Sequence, residues 1–473
     1  ASPTNTYANG EKGAQCHEAP GFAVDDDGDG VVNDGCPATG SLGTGRGNRI
    51  HLIEEMRFPH SLGLLYSAFT YFCGFKVNDG EYKLMGLAPY GTPRYADLIR
   101  EHLVAIHDDG SFYLDMRYFD YCTGVRMTSR AFDRFFGGPP RRPDAPLTAR
   151  EMDLAASVQV VAEEIILKCA RHVRRETGMG KLCLAGGVSL NCVANGKLSA
   201  EGVFDRLWLQ PAAGDAGGAL GVALLLAHQH LGVPRSVCPE DGQQGSYLGP
   251  GFEEKGIRSF LEERGVPHRF VADEGELCRE IAGRLDAGQV VGWAQGRMEY
   301  GPRALGARSI LADARDPGMQ SRVNLCVKER ESFRPFAPIV LRERAAEYFE
   351  VSGEFESPYM LLTAPVHPAQ RLQDPRAETV RGLDLLQVVR SRIPAVTHVD
   401  YSARIQTVTA QRNGRIHRLL AEFERRTGCP VLLNTSFNGK DEPIVCSIED
   451  AWNCFRATGL DVLVLERFVI EKG

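Results

Sequence analysis

Twice between residues 181 and 221 a short apolar strand runs through a glycine-rich turn into a helix. The first strand, 181–185, leads into Gly186-Gly187-Val188-Ser189-Leu190-Asn191. The second, 206–209, leads through Pro211-Ala212-Ala213 into Gly214-Asp215-Ala216-Gly217-Gly218. Glycine lets a backbone approach a phosphate closely, and a helix N-terminus adds N–H donors and the positive end of its dipole. Asp215 stands where the second helix begins. It is either an N-cap, worth about 1 kcal/mol, or a carboxylate that orients a metal or a phosphate.

Around these turns the pattern from 42 to 236 alternates helix and strand. Leu154, Val158, Val161, Ile165 and Cys169 recur at helical spacing, and Gly178 and Gly180 stop that helix. Residues 61–75 are apolar and aromatic, 83–91 (Lys-Leu-Met-Gly-Leu-Ala-Pro-Tyr-Gly) predict a Gly/Pro-bounded loop, and 126–150 predict a surface excursion. Residues 237–250 predict a linker. A second domain, 251–473, is expected to hold strands at 290–294, 336–341, 359–364, 404–409, 431–434 and 462–470, with helices near 275–287, 412–427 and 447–457.

A chain of 473 residues fits two or three domains. The net charge of −7 and the absence of a long basic run argue against a general nucleic-acid surface. No apolar run is long enough for a membrane helix. The 13 cysteines contain no CxxC and fit reduced thiols of a cytoplasmic protein, with Cys16 and Cys36, flanking a polar loop, as the exception. That loop lies in the polar segment 1–41, where Asp25, Asp27, Asp29, the Val31 carbonyl and Asn33 place oxygens at alternate positions and Gly30 permits a sharp turn. The pattern suits Ca2+ and resembles the calcium loops of thrombospondin type 3 repeats, although Cys36 stands where an EF-hand has its bidentate Glu. A solvated acidic linker is the alternative.

The densest chemical signal lies in the second domain. Residues 296–309 read Gly-Arg-Met-Glu-Tyr-Gly-Pro-Arg-Ala-Leu-Gly-Ala-Arg-Ser, and Lys328-Glu-Arg-Glu-Ser-Phe-Arg334-Pro-Phe follows. Arg404 and then Asn434-Thr-Ser436-Phe-Asn438 come later. Unpaired cations are expensive to bury, but guanidinium binds two phosphate oxygens at once. Salt bridges with Glu299, Glu329 and Glu331 are the alternative. The cations come with Gly, Pro and Ser turns, in place of helix faces, which favours anion binding.

Five stretches resemble the antibiotic and nodulation-factor O-carbamoyltransferases: KLMGLAPYG (83–91), LAGGVSLN (184–191), PAAGDAGGALG (211–221), GPRALGARSIL (301–311) with KERESFRPFAP (328–338), and LLNTSFN (432–438). The two glycine turns, 28 positions apart (186 to 214), suit the nucleotide cleft of an actin-like ATPase fold. The resemblance implies an α/β chain: a partial actin-like (ASKHA) domain over 42–236 and a YrdC-like domain over 251–473 that forms carbamoyl adenylate from carbamoyl phosphate and ATP with Mg2+. The first domain would then pass the carbamoyl group to a hydroxyl-bearing small molecule. A homodimer is a further expectation.

By the same resemblance, Arg303, Lys328, Arg334 and Arg404 would hold the carbamoyl and phosphate groups, with Asn434 and Ser436 completing the pocket. Gly186, Gly187, Asn191, Gly214 and Ser309 would contact nucleotide, and Asp215 would be a metal ligand. The family's N-terminal motifs (HDAS-like, HHxxHA and DGxGE) are not found here, and no two of the 12 His are four apart. The expectation is therefore that the first half of the actin-like domain is missing, and with it most ligands for iron or zinc.

Overall fold

Nine strands of the C-terminal unit form one mixed sheet in the computed structural model, which describes residues 38–236 and 241–472. Their order is Leu362–Pro365, Ser402–Val408, Ala337–Leu341, Val431–Ser436, Arg308–Asp313, Val291–Ala294, Val462–Leu465, Phe468–Glu471 and Arg269–Phe270. Two pairings are parallel, Ala337–Leu341 with Ser402–Val408 and Val291–Ala294 with Val462–Leu465. The others are antiparallel. Four central strands are buried at every position, as strands covered on both faces must be.

Helices Glu274–Asp286 and Ala410–Thr427 pack on each other. Asp273 caps the first, accepting from the Glu276 N–H at 2.7 Å, and Leu277, Ile281 and Leu285 give it one buried stripe. Thr409 caps the second, which buries Ile416, Leu419, Leu420 and Phe423 and ends at Gly428 in the left-handed conformation (φ 74°). Helix Ile448–Ala457 starts with a Ser447–Asp450 capping box and packs on the strands at 291–294 and 462–465.

Three expectations change here. Residues 462–470 form two strands of a hairpin. Arg308–Asp313 is a central strand that was not among those expected. From Asp241 onward, the stretch expected as linker is built into the unit. The Asp241 carboxylate accepts from Tyr359 Oη (2.6 Å), the Gly245 N–H (2.8 Å) and Arg412 Nε (3.0 Å). Ser246 exchanges main-chain and side-chain bonds with Tyr300, and Gly249 N–H donates to the Met298 carbonyl.

The N-terminal unit, which ends at Ser236, is mainly helical. Its centre is helix Ala149–Thr177, opened by a Thr148–Glu151 capping box and closed by Gly178 at φ 63°. Helices Leu62–Phe72 and Glu81–Leu87 pack against it. Residues 83–91 are thus helix and a 3-10 turn (Ala88–Tyr90), not a loop. Within 126–150 the helix Arg130–Phe135 drives Phe132 into the core, with ring centroids 5.2 Å from Phe69 and 4.8 Å from Phe72. An aromatic anchor of this kind overrides the local Arg/Pro composition. Three two-stranded sheets complete the described part, and the parallel one pairs Lys181–Leu184 with Arg206–Leu209. No described helix is long and apolar enough to cross a membrane.

Candidate functional site

Sheet register gathers the sequence motifs of the C-terminal unit at one end of its sheet. Ser309 pairs with both Ser436 and Trp293, and Ala337 pairs with Asn434. Gln406 pairs with Ile339 on the parallel neighbour, so Arg404, two residues earlier, falls level with Ala337. The starts of three strands and the ends of two therefore meet there, and Arg303, Lys328 and Arg334 are on the segments that lead in.

The segment 296–307 crosses this end and is held by side chains from several strands. Asn434 Nδ2 donates to the Ala304 carbonyl (3.1 Å) and to Gln406 Oε1 (2.7 Å). Gln406 Nε2 and Tyr247 Oη both donate to the Leu305 carbonyl, at 2.8 and 2.7 Å. Trp293 Nε1 donates to the Gly306 carbonyl (3.1 Å), and Ser309 Oγ accepts from the Gly306 N–H (3.0 Å). Gly306 adopts φ 104°, a conformation that favours glycine. Of the residues expected to touch ligand, Ser309 thus bonds this loop, and Asn434 bonds both the loop and Gln406.

Lys328 is 3% exposed and sits among oxygens. Its three N–H groups are shared among four oxygens, the Ser436 carbonyl, Ser436 Oγ (3.2 Å), the Asn438 carbonyl (2.9 Å) and Asn438 Oδ1 (2.6 Å). Burial, joined by the charges of Arg330 and Arg334, pushes its pKa well below the ordinary lysine value. Lys328, Arg330 and Arg334 thus bring three cations onto the one segment that leads into the strand Ala337–Leu341. Arg330 is braced by Asn324 Oδ1 at 2.7 Å and stacks 4.7 Å from the Phe336 ring centroid. Arg334 lies 3.5 Å from Glu331. Concentrated positive charge at a sheet end, with Ser and Asn beside it, suits an anion bearing phosphate and amide groups.

Arg330 and Asn438 lay within the motif blocks without being singled out. Spacing could not have found Arg330, because the Lys328 backbone is helical and Glu329 sits at φ 43°, so no strand alternation links 328 and 330.

In the N-terminal unit the two glycine turns lie side by side beyond the ends of the parallel strands, where the Gly186 N–H donates to the Ala213 carbonyl at 2.8 Å. Such strand ends are where open α/β sheets bind ligands. At Gly187 and Gly214 nothing lies within 4 Å of where a Cβ would stand, so packing among described residues does not require glycine there. Asn191 caps helix Cys192–Glu201 and forms an amide pair with Gln159, both bonds 3.1 Å.

Gly214, not Asp215, is the N-cap of the next helix. Asp215 is exposed in the first turn. Among the described residues no group of three or more His, Cys, Asp or Glu is arranged to hold a metal. Asp215 does not by itself fit iron or zinc. Asp25, Asp27, Asp29 and Asn33 lie outside the described residues.

Residues 18–224 match the family description Carbamoyltransferase N-terminus, and residues 282–472 match Carbamoyltransferase C-terminus. An uncharacterised protein of Synechocystis sp. is 54% identical over 92% of this chain and 71% of its own length. Nodulation protein NolNO of Sinorhizobium fredii is 38% identical over 92% of this chain, which spans 59% of that relative. Nodulation protein NolO of Bradyrhizobium diazoefficiens is 37% identical over 95% of this chain and 75% of its own length. The crystal structure of full-length HypF in the phosphate- and nucleotide-bound form aligns with 49% of this chain and 29% of its own, at 16% identity and a TM-score of 0.27.

Proposed function

The chain belongs to the carbamoyltransferase family, and on that premise we propose that its C-terminal unit forms carbamoyl adenylate from carbamoyl phosphate and ATP. The cation cluster of Lys328, Arg330 and Arg334 at the sheet end carries this reading. Balance requires carbamoyl phosphate to lose phosphate to water, giving carbamate. A carbamate oxygen then attacks the α-phosphorus of ATP, and pyrophosphate leaves with the bonding pair. The cluster neutralises phosphate oxygens and the charge growing on the leaving group, while Arg303 and Arg404 hold the carbamoyl and phosphate groups. Mg2+ arrives with ATP as part of the substrate. In this reading the unit is YrdC-like and the N-terminal unit is part of an actin-like domain. The N-terminal glycine turns bind nucleotide, and an acceptor hydroxyl on a sugar-like or secondary-metabolite molecule receives the carbamoyl group.

The test is exchange of labelled pyrophosphate into ATP, with and without carbamoyl phosphate. The full chain is expected to exchange only when carbamoyl phosphate is present. Arg334→Ala is expected to lower the rate about 100-fold, the scale of one lost transition-state donor. Exchange that ignores carbamoyl phosphate would sink the reading, as would an Arg334→Ala variant as active as the parent.

A pH dependence follows from Lys328. A bound anion favours its charged form and raises its lowered pKa, so binding takes up a proton between the two values. Affinity for carbamoyl phosphate is therefore expected to fall as pH rises through the free-state pKa, below the ordinary lysine range. Calorimetric titration across pH checks this, and Lys328→Met should flatten the profile.

A further inference from the structure

We infer that Glu299 is a positioning residue of this site: its carboxylate fixes the main chain that follows Arg303, and so fixes where that guanidinium meets the substrate. The inference rests on the functional reading above. Glu299 is 4% exposed. Its Oε1 accepts three main-chain N–H bonds, from Leu305 (2.6 Å), Ala307 (2.8 Å) and Arg308 (3.2 Å). Its Oε2 is buried with no hydrogen-bond partner among the described residues. The salt bridge considered for it from sequence is not formed among the described residues. The nearby Arg308 guanidinium, itself fully buried, donates instead to the carbonyls of Gln295, Gly296, Ala307 and Pro250.

A carboxylate buried without a counter-ion is costly, and burial pushes its pKa up against the pull of those N–H groups. An apolar side chain would fill the space more cheaply. What Glu299 contributes is one side-chain oxygen, at the reach of its two methylenes, on which the N–H groups of Leu305, Ala307 and Arg308 converge. Asn434, Gln406, Tyr247 and Trp293 hold the carbonyls of residues 304–306 from other directions. With donors gathered on Glu299 and acceptors held by those side chains, the stretch has little freedom, and Arg303 immediately precedes it.

Two conservative variants separate reach from charge. Glu299→Gln keeps the oxygen in place and loses the charge; Glu299→Asp keeps the charge and draws the oxygen back by one methylene. Hydrogen–deuterium exchange over residues 301–309 and the KM for carbamoyl phosphate in pyrophosphate exchange are measured for both. A positioning oxygen predicts that Glu299→Gln stays within about fivefold of the parent in both, roughly 1 kcal/mol. Glu299→Asp should exchange amide hydrogens at least tenfold faster and raise KM at least tenfold, with kcat less affected. Unchanged amide protection in Glu299→Asp overturns the inference. So does the reverse ranking, in which the aspartate is better than the glutamine, because charge would then be the active property. Failure of the parent to exchange pyrophosphate would sink the functional reading alone, since amide protection still decides the clamp.

Discussion

Lys328→Met is expected to remove carbamoyl phosphate-dependent pyrophosphate exchange by about 1,000-fold, the upper range for loss of a preorganised charge, and to destabilise the C-terminal unit. The lysine gathers Ser436 and Asn438 onto one ammonium. Methionine fills the volume but leaves buried carbonyl and amide oxygens without a donor, a cost of about 1–3 kcal/mol. It also removes one of three clustered cations, so both anion binding and the shape of residues 436–438 suffer. Arginine should not rescue, because a planar fork cannot replace a compact ammonium surrounded by oxygens. Urea unfolding reports the stability loss and the exchange assay reports the rate. A folded Lys328→Met variant with parental exchange would remove Lys328 from the site.

The second large effect is expected at Gly91, the last residue of the KLMGLAPYG block. Its backbone is extended (φ −107°, ψ 177°), which any residue adopts, so conformational freedom is not the reason for glycine. The reason is contact: a Cβ there would run into the Met152 carbonyl on helix Ala149–Thr177. Beyond the glycine the chain is pinned to that helix. The Thr92 N–H donates to Asp153 Oδ1 (2.8 Å), Arg94 Nε pairs with Asp153 Oδ2 (2.8 Å), and the Tyr95 N–H donates to Ser157 Oγ (3.0 Å). Gly91→Ala must lift this segment or bend the helix. Overpacking alone costs about 1–3 kcal/mol, and the Thr92 and Tyr95 N–H groups, parted from Asp153 and Ser157, add roughly 1 kcal/mol each. The N-terminal unit should melt well before the parent's, followed by circular dichroism on the full chain. An unchanged melting profile would refute the contact.

Much of the C-terminal sheet was legible because buried strands announce themselves as short apolar runs between breakers, as at 291–294, 337–341 and 431–436. Arg308–Asp313 was not, because its ends carry an arginine, buried on carbonyls as distant in sequence as that of Pro250, and an aspartate paired with Arg315 just beyond the strand. The helix at 81–87 was hidden by Gly86 and Pro89, which read locally as breakers. Pro89 in fact sits at the start of a 3-10 turn, where its missing N–H is harmless. In the site, residue types spoke for the chemistry but not for the direction of each side chain. Asn434 and Ser309 look like ligand contacts in a motif, and each also ties down the loop, through the Ala304 carbonyl and the Gly306 N–H. Glu299 looks like a surface ion-pair partner and is a buried acceptor of main-chain N–H groups.

The segment from Asp241 to Phe252 decides where the C-terminal half can be separated as a module. Composition alone places the seam near Gly251, after the run of Gly, Gln and Ser. A fragment begun there would lose the Tyr247 hydroxyl on Leu305, the Ser246 bonds to Tyr300 and the Pro250 carbonyl beneath Arg308. It would keep every residue of the cation cluster and still lack part of the frame that shapes the loop beside it. An evolutionary cut-and-paste of this domain, or a laboratory one, therefore has to carry the dozen residues that precede its first helix.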